Sequence, residues 1–110
     1  MIKSFFLYGT LQPGKKNHSV LKDISGSWTK ATVIGTLLDR GWGAKDGFWG
    51  LSLESDDSEI PGYVFQPDEL EPVIKLLDNF EGSDYQRVTT KATLETGENV
   101  EAYVYTVLND

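Results

Sequence analysis

Apolar residues recur with helical spacing in one clear stretch of this chain. Leu70, Val73, Ile74, Leu77 and Phe80 follow the i, i+3, i+4 rule, so the segment predicts a helix with one buried face. Its start is expected near Asp68, where Asp68 and Glu71 fit a capping pattern and Pro67 and Pro72 fall near the entry. Gly82 suits the position just past a last turn, which places the helix end at about Glu81.

Everything around that helix reads as strands. Ile2 to Tyr8, Trp28 to Leu38, Phe48 to Leu53, Ile60 to Phe65, Arg87 to Thr96 and Val100 to Val107 are rich in β-branched and aromatic residues or alternate in polarity. Gly35 is a candidate bulge or close-approach point, and Pro61 suggests an edge or a strand start. The Gly97-Glu98-Asn99 link suggests a hairpin. A short helical turn is expected over Asn17 to Leu21, and the glycine-rich Arg40 to Gly47 stretch reads as a turn or lid-like loop. Six strands interrupted once by a helix imply an α+β domain with a curved, barrel-like, mainly antiparallel sheet.

At 110 residues the chain, 1–110, fits a single domain, and 39% hydrophobic content is enough for a packed core. Seventeen acidic residues against ten basic ones leave a net charge of −7. That balance argues against nucleic acid or an anionic membrane as partner. With no cysteine, disulfides, thiolate metal sites and cysteine nucleophiles are excluded. A single histidine, His18, excludes a multi-histidine metal site within the chain. No apolar stretch approaches the roughly 20 residues that span a bilayer. The opening MIKSFFLYG reads as a core strand rather than a signal sequence. A cytoplasmic protein without metal or cofactor is the resulting expectation.

Two segments carry candidate chemistry. Tyr8, Gly9, Thr10 and Leu11 follow the first strand, and a glycine-permitted turn there can present consecutive backbone N–H groups to an anion or a carbonyl oxygen. The second segment is LLDNFEGSDYQR. Glu81 stands at the negative end of the helix dipole beside Phe80, and both neighbours disfavour its ionised form. A carboxyl with a raised pKa suits general acid–base work, provided it is partly buried. An exposed glutamate before a C-cap glycine is the commoner situation and stays open on these grounds. Asp78 can pair with Arg87 and hold the helix end against the next strand, and Tyr85 can donate a hydrogen bond into a pocket. His18, with Asn17, is better placed in a surface turn than in that pocket.

Together, YGTLQPG and LDNFEGSDYQR resemble the γ-glutamylcyclotransferase superfamily, in its AIG2-like and γ-glutamylaminecyclotransferase branch. The Gly35-Thr36-Leu37 and Gly62-Tyr63-Val64 patterns add to the resemblance, which runs along nearly the whole chain. It implies a small mixed domain around a barrel-like sheet. It also implies an enzyme that releases 5-oxoproline from a small γ-glutamyl amine or amide. Glu81 then occupies the position of the catalytic acid/base, and Tyr8, Gly9, Thr10 and Leu11 the substrate-binding loop. Asp78, Tyr85 and Arg87 match the flanking pattern in supporting positions. The family often carries a Tyr-Pro pair after its second main strand, whereas this chain has Gly41-Trp42-Gly43-Ala44-Lys45. The far wall of the pocket, where Trp42, Phe48 and Trp49 are candidate lining residues, is therefore expected to differ. The alternative to an enzyme is a non-catalytic small-molecule-binding module on the same fold.

Overall fold

Two long strands form the spine of the fold. In the computed structural model, which describes residues 2–8, 12–14, 18–38, 50–53, 58–82 and 85–107, β2 (Gly26–Leu38) runs antiparallel to β4 (Ser58–Pro67). Their register runs from Gly26 opposite Pro67 to Gly35 opposite Ser58. β1 (Phe5–Leu7) precedes them and is followed by a 3-10 turn at His18–Val20. The short β3 (Gly50–Ser52) lies between β2 and β4 in the chain. Helix α1 (Leu70–Glu81) then leads into the hairpin of β5 (Tyr85–Leu94) and β6 (Asn99–Val107).

The strands close into a ring. β1 pairs antiparallel with β4 (Phe5 opposite Phe65) and parallel with β6 (Phe5 opposite Tyr103). β2 pairs with β4 on one side and with β5 on the other, through Ala31–Leu94 and Thr32–Thr93. The circuit β1–β4–β2–β5–β6 thus returns to β1. β3 spans the far end of β2 and β6, antiparallel to the first and parallel to the second. The result is the curved, mainly antiparallel sheet expected from the sequence, with one α-helix among the described residues.

Strand alternation sorts side chains into two cores. Phe6, Ala31, Val33, Leu51, Ile60, Val64, Ala92, Ala102 and Val104 form one cluster inside the ring. Their neighbours Phe5, Leu7, Phe65 and Tyr105 point the other way and meet Val73 and Leu77 of α1 and Leu21 of the turn. Val73 and Leu77 are the buried residues of the helix, and each contributes about 1.5–3 kcal/mol by leaving water.

Two glycines permit backbone crossings that this closure needs. A Cβ on Gly62 would stand 2.6 Å from the Leu7 carbonyl oxygen and 2.7 Å from Cζ of Phe6, and one on Gly35 would stand 2.7 Å from the Ser52 carbonyl oxygen. Gly62 therefore lets the end of β1 seat against β4, and Gly35 is the close-approach point anticipated from sequence.

Some boundaries differ from the sequence expectation. β1 is shorter than Ile2 to Tyr8, because its β4 register covers only Phe5 to Leu7. β4 is longer than Ile60 to Phe65, because β2 offers it a partner along its whole length. Among the described residues β1 pairs with β4 no further than Tyr63, so Pro61 inside β4 is paired only on its β2 side, through Thr32. The helix begins at Leu70 rather than near Asp68. The Asp68 N–H donates to the Ser25 carbonyl at 2.9 Å, which prolongs the strand instead. Glu69 is the N-cap, in extended conformation (φ −125°, ψ 122°) and without a side-chain capping bond, so the Asp68–Glu71 capping box is not formed. The hairpin turn forms as expected around Gly97, with φ +94° and its N–H bonded to the Leu94 carbonyl at 2.8 Å. Among the described residues no helix is long and apolar enough to cross a membrane.

Candidate active site

Glu81 is the last residue of α1, and Gly82 turns the chain away immediately after it. Gly82 has φ +77° and ψ −164°, while its N–H still closes the last helical turn on the Asp78 carbonyl. That positive φ explains why a glycine follows the glutamate. Phe80 packs into the helix-side cluster, and Glu81 is itself partly buried. Burial pushes the Glu81 carboxyl from 4.5 up to about 7. The partial burial that the general-base argument required is therefore present.

Asp78 stands one turn earlier on the same helix face. Its carboxylate accepts from Arg87 Nε at 3.0 Å and Nη2 at 3.4 Å, joining the helix end to β5. It also accepts from the Tyr105 hydroxyl of β6 at 2.6 Å. Burial works against its ionised form, but the Tyr105 hydroxyl and the Arg87 guanidinium outweigh this and hold its pKa below the usual value. Arg87 lies over the Tyr103 ring, 4.9 Å from the centroid. The Asp78–Arg87 pair anticipated from the sequence is largely exposed and is worth at most about 1 kcal/mol alone. The bond to the buried Tyr105 hydroxyl is charge-assisted and stronger.

Tyr8 lies just past β1, and its hydroxyl bridges two other strands. It donates to the Tyr105 carbonyl at 2.5 Å and accepts from the Leu51 N–H at 2.8 Å. A side-chain oxygen thus joins β6 to β3. Burial drives the Tyr8 pKa far up, and the nearby charges of Glu81 and Tyr85 drive it further. The pKa of Tyr105 is likewise raised, chiefly by burial and by its bond to Asp78, with Glu81 contributing. Both phenols are protonated at any ordinary pH.

Tyr8 therefore lies within electrostatic reach of Glu81 and Tyr85, and Tyr105 within reach of Glu81, where β1 leaves the ring, with Asp78 and Arg87 bracing the helix end. Gly9, Thr10 and Leu11 lie outside the described residues, as do the Arg40 to Gly47 loop, Trp42, Phe48 and Trp49. The sequence reading did not single out Tyr105. Its signal was the alternation of β6, in which Ala102 and Val104 turn into the ring and Tyr103 and Tyr105 toward the helix. His18 sits in its turn with its ring 5.1 Å from that of Trp28. Among the described residues, no group of three or more His, Cys, Asp or Glu side chains is placed to hold a metal ion. A groove of about 570 Å³ runs along β2, β4 and β5 between Lys30, Glu59, Tyr63 and Glu95, and these site residues do not line it. A carboxyl titrating near neutrality beside two protonated phenols can take up a proton and return it.

Residues 5–110 match the family described as gamma-glutamyl cyclotransferase, AIG2-like. A curated relative, the gamma-L-glutamyl-butirosin B gamma-glutamyl cyclotransferase of Niallia circulans, is 27% identical over 96 residues, 87% of this chain and 59% of its own length. The crystal structure of YkqA from Bacillus subtilis superposes with a TM-score of 0.75 at 27% identity, covering 97% of this chain and 36% of that protein. An AIG2-like protein from Mus musculus superposes with a TM-score of 0.77 at 25% identity, covering 96% of this chain and 77% of that one. The chain thus spans about three fifths of the curated relative and about a third of the B. subtilis protein. Given a family match that runs from the first strand to the last residue, the chain belongs to the AIG2-like γ-glutamyl cyclotransferase family.

Proposed function

We propose that this chain is a γ-glutamyl cyclotransferase that releases 5-oxoproline from a γ-glutamyl amine or amide, with Glu81 as general base and then general acid. The observation that carries the reading is the partly buried Glu81 carboxyl, raised to about 7 and within electrostatic reach of the Tyr8 hydroxyl. At neutral pH about half of it is ionised, which suits a group that must both accept and donate.

The reaction asks for no protein nucleophile. The substrate's α-ammonium gives a proton to the Glu81 carboxylate, and the freed nitrogen attacks the γ-carbonyl carbon. The ring C–N bond forms as the carbonyl electron pair moves to oxygen. Collapse of that intermediate breaks the γ C–N bond as the departing nitrogen takes the proton from Glu81, and the ring nitrogen gives up its second proton to water. The products are 5-oxoproline and the free amine. In this reading the N–H groups of the Tyr8 to Leu11 turn hold the substrate carboxylate or the developing oxyanion, and holding the substrate folded supplies proximity.

The test is incubation with a panel of γ-glutamyl amines and peptides, reading 5-oxoproline. Turnover is expected for at least one member, with a loss of 10²-fold or more in Glu81→Gln, the range for removing a general acid–base group. Glu81→Gln turning over at the parent rate refutes the mechanism. Tight binding of a γ-glutamyl compound without turnover identifies a binding module instead.

A further inference from the structure

We infer that Tyr105 is a positioning residue, which holds the two halves of the site in register through opposite ends of the same amino acid. This inference rests on the γ-glutamyl cyclotransferase reading for its activity readouts. Its backbone carbonyl accepts the Tyr8 hydroxyl at 2.5 Å, and its own hydroxyl donates to Asp78 at 2.6 Å. Tyr8 stands at the exit of β1, and Asp78 lies one helical turn before Glu81 on the same face. The spacing between Tyr8 and the helix end that carries Glu81 is thereby fixed across a single residue of β6.

The geometry makes this bond more than ordinary packing. The Tyr105 residue is 4% exposed and its hydroxyl reaches Asp78 in a part-buried bond, whereas the Arg87–Asp78 contact is exposed, with side-chain exposures of 30% and 44%. The inner contact is the one that water cannot replace at low cost. Losing it frees the last turn of α1 from β6 while Val73 and Leu77 still hold the rest of the helix in the core. Burial is what raises the Glu81 carboxyl, and its charge is felt by the Tyr8 hydroxyl at the exit of β1 and by the Tyr105 hydroxyl of β6, while Asp78 on the same helix is held ionised by Tyr105 and by Arg87 of β5. Tyr85 of β5 acts on the same Tyr8 hydroxyl. A loosened last turn lets water reach Glu81 and draws it back toward ordinary acidity.

The experiment compares the parent protein with Tyr105→Phe, Asp78→Ala and the double variant. Phenylalanine keeps the ring and the backbone carbonyl and removes only the hydroxyl. In Tyr105→Phe, kcat is expected to fall about 10- to 100-fold, the penalty of a misplacement on the order of 1 Å, with KM changed less than threefold. The acid limb of the pH–rate profile and the ¹³C titration of the Glu81 carboxyl should both move down by about one pH unit. The double variant should fall no further than Asp78→Ala, since both changes break one link. The inference is overturned by a Tyr105→Phe protein with parental Glu81 titration, or by losses that multiply in the double variant. Absence of turnover in the parent, with the Glu81 titration still shifted in Tyr105→Phe, overturns the activity reading and leaves the positioning role standing.

Discussion

Replacing Glu81 by glutamine should make the protein more stable above neutral pH and leave it unchanged in acid. The sign follows from proton binding. Glu81 holds its proton up to about 7 in the folded chain, against an ordinary value of 4.5. Between those values the folded state binds the extra proton, so stability falls as pH rises through this window and levels off above it. At 1.36 kcal/mol per pH unit, the interval from 4.5 to about 7 is worth roughly 3 kcal/mol. Glutamine keeps the shape of the protonated side chain and cannot ionise. Below pH 4.5 the variant and parent should therefore melt together, and at pH 8 the variant should be more stable by roughly 3 kcal/mol. For a chain of this size that is a Tm difference of about 10–20 °C. Urea unfolding of both proteins from pH 4 to 8.5 reads it directly, with the m-value as a check that the unfolded state is unaltered. The other titrating groups cancel in the difference. A stability difference that stays constant across the range, or a less stable variant at pH 8, would refute the claim that burial destabilises the Glu81 carboxylate.

Three further outcomes are expected. The kcat/KM of the proposed activity should rise with unit slope below an apparent pKa near 7, where the base must ionise, and a flat profile down to pH 5 would remove Glu81 from that role. Tyr8→Phe strands the Leu51 N–H and the Tyr105 carbonyl and should cost about 1–3 kcal/mol in denaturant unfolding, whereas a cost below about 0.5 kcal/mol would mean that the bridge is not needed. Gly62→Ala drives a methyl toward the Leu7 carbonyl oxygen and the Phe6 ring and should cost about 1–3 kcal/mol, with an unchanged Tm as the contrary result.

The helix was legible because its face repeats with a period that no strand shares. Its first turn was misread because a tertiary bond, Asp68 N–H to Ser25, competes with the local capping signal. The Asp78–Arg87 pair could be anticipated from a helix end and a strand start nine residues apart. The burial of Glu81 could not, since it depends on what packs over the last turn. Ring closure was illegible for the same kind of reason. β1 is only three residues long, and its two partners lie about 60 and 98 positions away, in registers that no local pattern specifies. Tyr105 escaped notice because alternation says which way a side chain turns and not what awaits it there.

The bridge made by the Tyr8 hydroxyl sets an order of assembly. Its acceptor lies 97 residues further along the chain. During synthesis Tyr8 emerges first, and although β4 can pair with β1 and the Leu51 N–H can reach the Tyr8 hydroxyl earlier, the hydroxyl has no acceptor of its own until β6 has been made and has paired with β5. Closing so long a loop is slow, and the first strand stays an open edge meanwhile. Any chain cut short before Tyr105 can form the β2–β4 spine and the helix while lacking both holds on the site. Competence in this fold arrives with its last strand.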